Sequence, residues 1–99
     1  MLQKQDILSY LLKNKDYLNK QFSVEKIGLF GSYARDEQTE QSDIDIIIEM
    51  PKGTENIFEK KQKLRELLII EFNHNIDICR ERAIKPLFKE MILKDTIYV

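Results

Sequence analysis

Three aspartates and one glycine–serine corner are the residues of this sequence whose types and spacing could do chemistry. In the run Asp43-Ile44-Asp45-Ile46-Ile47-Ile48, an extended backbone sends alternate side chains to opposite faces. Asp43 and Asp45 therefore share one face, and Ile44, Ile46 and Ile48 the other. Carboxylates roughly 7 Å apart on one strand face repel each other unless a cation sits between them. A hard divalent ion, Mg²⁺ or Mn²⁺, takes oxygen ligands and suits such a pair. The plainer reading is a pair of solvated aspartates at a strand edge. The run Asn75-Ile76-Asp77-Ile78-Cys79 repeats the alternation. If both isoleucine faces meet one helical layer, all three aspartates emerge opposite it. Asp77 could then be a third ligand and the general base for an attacking hydroxyl. Read alone, it is one surface aspartate on a half-exposed strand.

The corner is Phe30-Gly31-Ser32-Tyr33-Ala34-Arg35. A glycine between strand and helix lets backbone approach a ligand closely, and Ser32 adds a hydroxyl at the same spot. A Gly-Ser pair also makes an ordinary tight turn with a serine cap. The combination says more than its parts: a phosphate cradle, two metal-binding carboxylates and a third carboxylate are suited to phosphoryl or nucleotidyl transfer.

Elements must position these groups. Apolar residues at Ile7, Leu8, Leu11, Leu12 and Leu18 predict a helix between Leu2 and Phe22. Val24 to Phe30 reads as a strand, Tyr33 to Glu37 as a short helix, and Gln38 to Ser42 as a loop. Asp43 to Met50, dense in β-branched residues, is a strand ended by Pro51-Lys52-Gly53. Thr54 reads as the cap of a helix to about Phe72, with Ile57, Phe58, Leu64, Leu67 and Leu68 buried. A short strand from Asn75 to Cys79 follows. Ile84, Leu87, Phe88, Met91 and Ile92 predict an amphipathic helix with Pro86 in its first turn, and Thr96 to Val99 a closing strand. The order gives an α/β (α+β) fold, a small mixed β-sheet flanked by helices.

The chain has 99 residues and a mass of 11.8 kDa. That length predicts one domain over residues 1–99. Sixteen basic against seventeen acidic residues leave a net charge of −1, which argues against a protein devoted to gripping nucleic-acid backbones. One cysteine, Cys79, excludes an internal disulfide framework. Apolar runs stop at about four residues, far short of a membrane span. A cytoplasmic location is expected. So small an enzyme rarely encloses its substrate, so a large partner or an oligomer is expected to complete the site.

The stretch from Gly28 to Met50, GLFGSYARDEQTEQSDIDIIIEM, resembles the Gly-Ser-x10-Asp-x-Asp signature of the DNA polymerase β-like nucleotidyltransferase superfamily, and within it the minimal nucleotidyltransferase domains of prokaryotes. The resemblance implies a polymerase β-like nucleotidyltransferase fold and a role for each matching residue. Gly31 and Ser32 would hold the β- and γ-phosphates of ATP. Asp43 and Asp45 would ligate two Mg²⁺ ions, and Asp77 would ligate one of them and help deprotonate the acceptor hydroxyl. Family members usually carry Gly where this chain has Asp36, which puts negative charge near the phosphate corner. Minimal members commonly act as antitoxins that transfer AMP to a tyrosine of a helical HEPN ribonuclease toxin. The resemblance therefore implies a Mg²⁺-dependent protein adenylyltransferase with a HEPN-type partner. An antitoxin that neutralises its partner by binding alone is the alternative, and an enzyme modifying a small molecule is a third reading.

Other residues read as ordinary. His74 suits a turn, Cys79 a packed thiol, and Glu59-Lys60-Lys61-Gln62-Lys63 a solvated helix face. Tyr10, Tyr17, Tyr33 and Tyr98 are conceivable self-modification acceptors, with nothing to single one out.

Overall fold

Isoleucine alternation builds the centre of the molecule. A computed structural model describes residues 2–99. Strand β2 (Ile44–Glu49) lies between β1 (Lys26–Phe30) and β3 (Ile76–Arg80), and β4 (Ile97–Tyr98) adds to the free edge of β1. The sheet order is β3-β2-β1-β4. β1 runs antiparallel to β2 and β4, whereas β2 and β3 are parallel, so the sheet is mixed as expected. In register, Ile27 faces Ile48, Leu29 faces Ile46, and Ile44 and Ile46 face Ile76 and Ile78. These residues form one apolar face, all of them buried.

Three helices cover that face: α1 (Lys4–Lys13), α2 (Lys15–Phe22) and α4 (Ile57–Phe72). They contribute Ile7, Leu11, Leu18, Phe22, Leu64, Leu68 and Phe72 to the core cluster. Burying each such side chain contributes about 1.5–3 kcal/mol relative to exposure.

The helix expected from Leu2 to Phe22 is two helices. They meet at Asn14, whose φ of −103° and ψ of 13° depart from helical values and whose side-chain amide donates to the Tyr10 carbonyl at 2.9 Å. Leu11 and Leu18, seven residues apart and so on one helical face, both point inward, while Leu12 is exposed. The fourth helix starts at Ile57 rather than at Thr54, because the Thr54 hydroxyl donates to the Pro51 carbonyl at 2.6 Å and closes a turn instead. Phe58, expected in its buried stripe, is 83% exposed. The short helix near the corner is the single turn α3 (Gly31–Ala34), earlier than expected.

The largest departure is α5 (Pro86–Asp95). Its expected buried stripe does not reach the core. Leu87, Phe88 and Met91 are exposed, while Ile84 and Ile92 are half-buried. The helical layer under the sheet is already filled by α1, α2 and α4, and α5 leans on α3 and β1. Among the described residues, no helix is long and apolar enough to cross a membrane.

Candidate active site

The face of the sheet opposite the helices carries Gly28 and Phe30 from β1, Asp45, Ile47 and Glu49 from β2, and Asp77 and Cys79 from β3, with Tyr98 beside Gly28. Asp45 and Asp77 are register partners across the parallel pair. Asp43 immediately precedes β2 and is exposed; Asp45 is half-buried and Asp77 exposed. The three aspartates thus gather where β2 and β3 begin.

Gly31 joins them. Its φ of +75° is a left-handed value that side chains disfavour. A Cβ built there would stand 2.9 Å from the Asp45 Cγ and closer still to a carboxylate oxygen. Backbone and carboxylate are therefore in direct apposition. Ser32, half-buried, follows in the α3 turn, which the Glu37 N–H closes by donating to the Ser32 carbonyl at 2.9 Å.

The electrostatics are unfavourable in the absence of a cation. Burial, then the neighbouring Asp77 and Asp43, push the Asp45 carboxyl up to about 6, with Arg35 pulling weakly the other way. Among the described residues, no three His, Cys, Asp or Glu side chains already converge on one metal-sized point. Mg²⁺ usually binds one or two carboxylates and completes its shell with water and substrate phosphates. The donor set fits a hard, phosphate-bridging cation.

Asp36 sits at φ +58°, a left-handed position that explains why glycine is usual there in the family the motif resembles, and that aspartate tolerates better than most residues. Its carboxylate takes a hydrogen bond from Lys4 Nζ at 2.8 Å. The added negative charge is thus paired away from the corner.

The far end of this face is roofed. The Tyr98 hydroxyl donates to Glu81 Oε1 at 3.0 Å, and Lys26 Nζ lies 3.0 Å from Glu81 Oε2 and 4.7 Å from the Tyr98 ring centre. Given the strand order, the Tyr98–Glu81 bridge spans Gly28 and Ile47, which accounts for a fully buried Ile47 outside the main core. Nearby, burial alone would raise the Glu49 carboxyl. Backbone N–H donation from Met50 and Arg82, with the Arg82 guanidinium 3.1 Å away, holds it below the usual range instead. Sequence reasoning had no signal for this network, since its members are far apart in the chain.

The residues read as ordinary behave so. His74 Nδ1 lies 2.7 Å from the Phe72 carbonyl in a turn. Burial pushes the Cys79 thiol up, away from reactivity. Glu59 and Lys63 pair on the exposed face of α4 at 3.1 Å.

Comparison with known proteins shows the family and the fold. The nucleotidyltransferase domain family model matches residues 11–99. The Methanocaldococcus jannaschii protein MJ0128, named as a candidate protein adenylyltransferase, is 41% identical over 97 residues, covering 95% of each chain. Protein adenylyltransferase MntA of Thermococcus cleftensis is 31% identical over 99 residues, covering 100% of this chain and 98% of its own. Among solved structures, a candidate minimal nucleotidyltransferase superposes with a TM-score of 0.79 at 23% identity, covering 97% of this chain and 95% of its own. A toxin–antitoxin complex with AMP-PNP superposes with a TM-score of 0.68 at 22% identity, covering 87% and 69%. On the family match and these identities, the chain belongs to the nucleotidyltransferase domain family and is a nucleotidyltransferase.

Proposed function

We propose that this chain transfers AMP from ATP to a protein hydroxyl, a tyrosine of a helical HEPN-type toxin, and acts in the cytoplasm as that toxin's antitoxin. The observation that carries the chemistry is the register pairing of Asp45 with Asp77, with Gly31 packed against the Asp45 carboxylate. The relatives named as protein adenylyltransferases and the toxin–antitoxin neighbours support the acceptor class and the partner.

In this reading Asp43, Asp45 and Asp77 would hold two Mg²⁺ ions, which would supply positive charge against the triphosphate and the departing pyrophosphate. Gly31, lacking a side chain, lets the β- and γ-phosphates approach the backbone, and the Ser32 hydroxyl donates to them. Asp77 takes the proton of the acceptor hydroxyl as its oxygen bonds to the α-phosphorus and the bond to the β-phosphate oxygen breaks. The exposed carboxylates leave one side of the site open, so the partner supplies the missing wall.

The test is incorporation of α-labelled ATP into protein with Mg²⁺, using the chain together with a co-expressed toxin. Label on the toxin with the wild type, and none with Asp43→Ala/Asp45→Ala, is the expected result. Label unchanged in the double variant would sink the site assignment. Absence of label while the toxin is still neutralised would leave inhibition by binding alone.

A further inference from the structure

Parity along β3 decides which of its backbone groups meet β2 and which face outward. The Ile44 N–H donates to the Asn75 carbonyl at 2.9 Å, so Asn75, Asp77 and Cys79 turn their main-chain groups toward β2. Ile76, Ile78 and Arg80 turn theirs the other way, and β3 is the last strand on that side of the sheet. Arg65 Nε donates to the Ile76 carbonyl at 2.8 Å from the outer side. Among the described residues, the Ile78 N–H and carbonyl and the Arg80 N–H have no partner. Such a row of unfilled donors and acceptors is a template for another strand.

The charges beside this edge say what kind of strand. Lys61 and Arg65 lie one turn apart on α4; Arg65 touches β3 through its bond to Ile76, and the charge of Lys61 is felt at Cys79. Both are half-buried, and among the described residues neither forms an ion pair. A second copy of this chain would bring the same two cations against themselves, because a two-fold pairing sets like patches together. An extended segment with acidic side chains meets them with opposite charge.

The edge also adjoins the reacting groups. Asp77 turns its main chain to β2, so in an antiparallel strand added outside β3 the residue across from Asp77 sits at a non-hydrogen-bonded position. Facing α-carbons there are about 4.5 Å apart and their side chains share a face. A hydroxyl-bearing side chain at that position stands on the active face beside Asp77.

We propose that the open edge of β3 binds an extended, acidic segment of the acceptor protein as a fifth strand, which sets the acceptor side chain beside Asp77. The inference rests on the protein-acceptor reading above and adds where the acceptor docks and which charge it carries. Ile78 and Arg80 supply the main-chain hydrogen bonds, and Lys61 and Arg65 the preference for acidic side chains.

The experiment is amide hydrogen exchange of the chain alone and bound to the co-expressed toxin, with transfer from α-labelled ATP measured for Lys61→Glu, Lys61→Arg, Arg80→Pro and Arg80→Ala. Equilibrium dialysis of ATP reports whether each variant is folded. Binding of the toxin should slow exchange at the Ile78 and Arg80 amides at least tenfold. Lys61→Glu should lower kcat/KM for the toxin about tenfold, and Lys61→Arg should restore most of it. The Arg80 φ of −91° and ψ of 135° are near those of proline, and its N–H has no ladder bond to lose. Arg80→Pro should therefore fold and transfer roughly fivefold more slowly than Arg80→Ala, which loses the same side chain and keeps the N–H. Equal transfer by the two variants overturns the inference, as does wild-type transfer by Lys61→Glu. Protection on the exposed face of α5 with none at Ile78 and Arg80 overturns it while labelled toxin leaves the transfer reading standing. A protected edge with an unlabelled toxin does the reverse: it refutes transfer and keeps the docking surface.

Discussion

The Asp45 carboxylate occupies the space that a side chain on Gly31 would need. The contact joins the end of β1 to the start of β2, whose register partners Phe30 and Asp45 lie side by side. Gly31 therefore serves two needs at once, a left-handed φ and a bare α-carbon against a carboxylate. Gly31→Ala should abolish nucleotide transfer, because the new methyl either displaces Asp45 or opens the corner. It should also destabilise the fold by about 1–3 kcal/mol, through backbone strain and overpacking. Labelled-ATP transfer and a urea titration check both. Retained transfer at wild-type rate would show that Asp45 need not stay where it is.

Asp45 makes a pH prediction. Its carboxyl titrates at about 6 in the metal-free fold against an ordinary value of 3.8. Between these values the native state keeps a proton that the unfolded chain releases, so stability falls as pH rises from about 4 to about 6 and stays lower above that. The full shift corresponds to about 3 kcal/mol, and the half-exposure of Asp45 reduces it to about 1 kcal/mol. Asp45→Asn should accordingly be the more stable protein at pH 7.5 without metal, with the gap closing below about pH 4. Added Mg²⁺ or Mn²⁺ should raise the melting temperature of the wild type and not of the variant. Thermal melts across pH, with chelator and with metal, decide it. A variant less stable than the wild type at every pH would contradict the strain assigned to this carboxylate.

Asp36 separates the two roles a left-handed position can have. Asp36→Gly removes a strained φ of +58° and loses the Lys4 ion pair, effects of opposite sign and each below about 1 kcal/mol. Stability should stay nearly unchanged. Asp36→Val, with a branched side chain at that φ, should cost about 1–2 kcal/mol. ATP affinity should be the same in Asp36→Gly as in the wild type, since Lys4 already neutralises the charge. Tighter ATP binding by Asp36→Gly would mean that the carboxylate does act on the phosphate corner.

Alternation made the site legible in the sequence, because a strand has only two faces. Asp45 and Asp77 could be placed on one face from Ile44, Ile46, Ile76 and Ile78 alone, and the structure puts the pair in register. The order of elements and the mixed sheet were equally readable. Helical periodicity was a poorer guide, since it says that a face is apolar and not that anything covers it. The stripe on α5 has the right spacing yet stays exposed at Leu87 and Met91, because three other helices already fill the layer. The first helix divides at Asn14, where the backbone leaves helical values in a way that spacing cannot reveal. The Tyr98–Glu81–Lys26 roof depends on a strand order fixed only by tertiary pairing, so no local pattern announces it.

That roof carries the last prediction. A Cβ on Gly28 would stand 2.9 Å from the Ile97 carbonyl oxygen, 3.0 Å from Tyr98 Cδ1 and 3.1 Å from Thr96 Cγ2. The first of these is backbone of β4 and cannot rotate away. Gly28→Ala should therefore push the two-residue β4 off the sheet edge and cost about 1–3 kcal/mol, or roughly 4–15 °C in melting temperature for a chain this size. Tyr98→Phe keeps the ring over Gly28 and removes only the hydroxyl bond to Glu81, so its cost should be nearer 1 kcal/mol. Burial and then Glu81 push the Tyr98 hydroxyl up to about 12, so it stays protonated and the effect should be flat from pH 6 to pH 9. Amide exchange would locate the damage: in Gly28→Ala the Val99 N–H, which donates to the Ile27 carbonyl at 3.1 Å, should lose protection before the amides of β2 and β3 do. Uniform loss across the sheet would mean instead that β4 is an integral part of the core rather than an edge clamped by Tyr98.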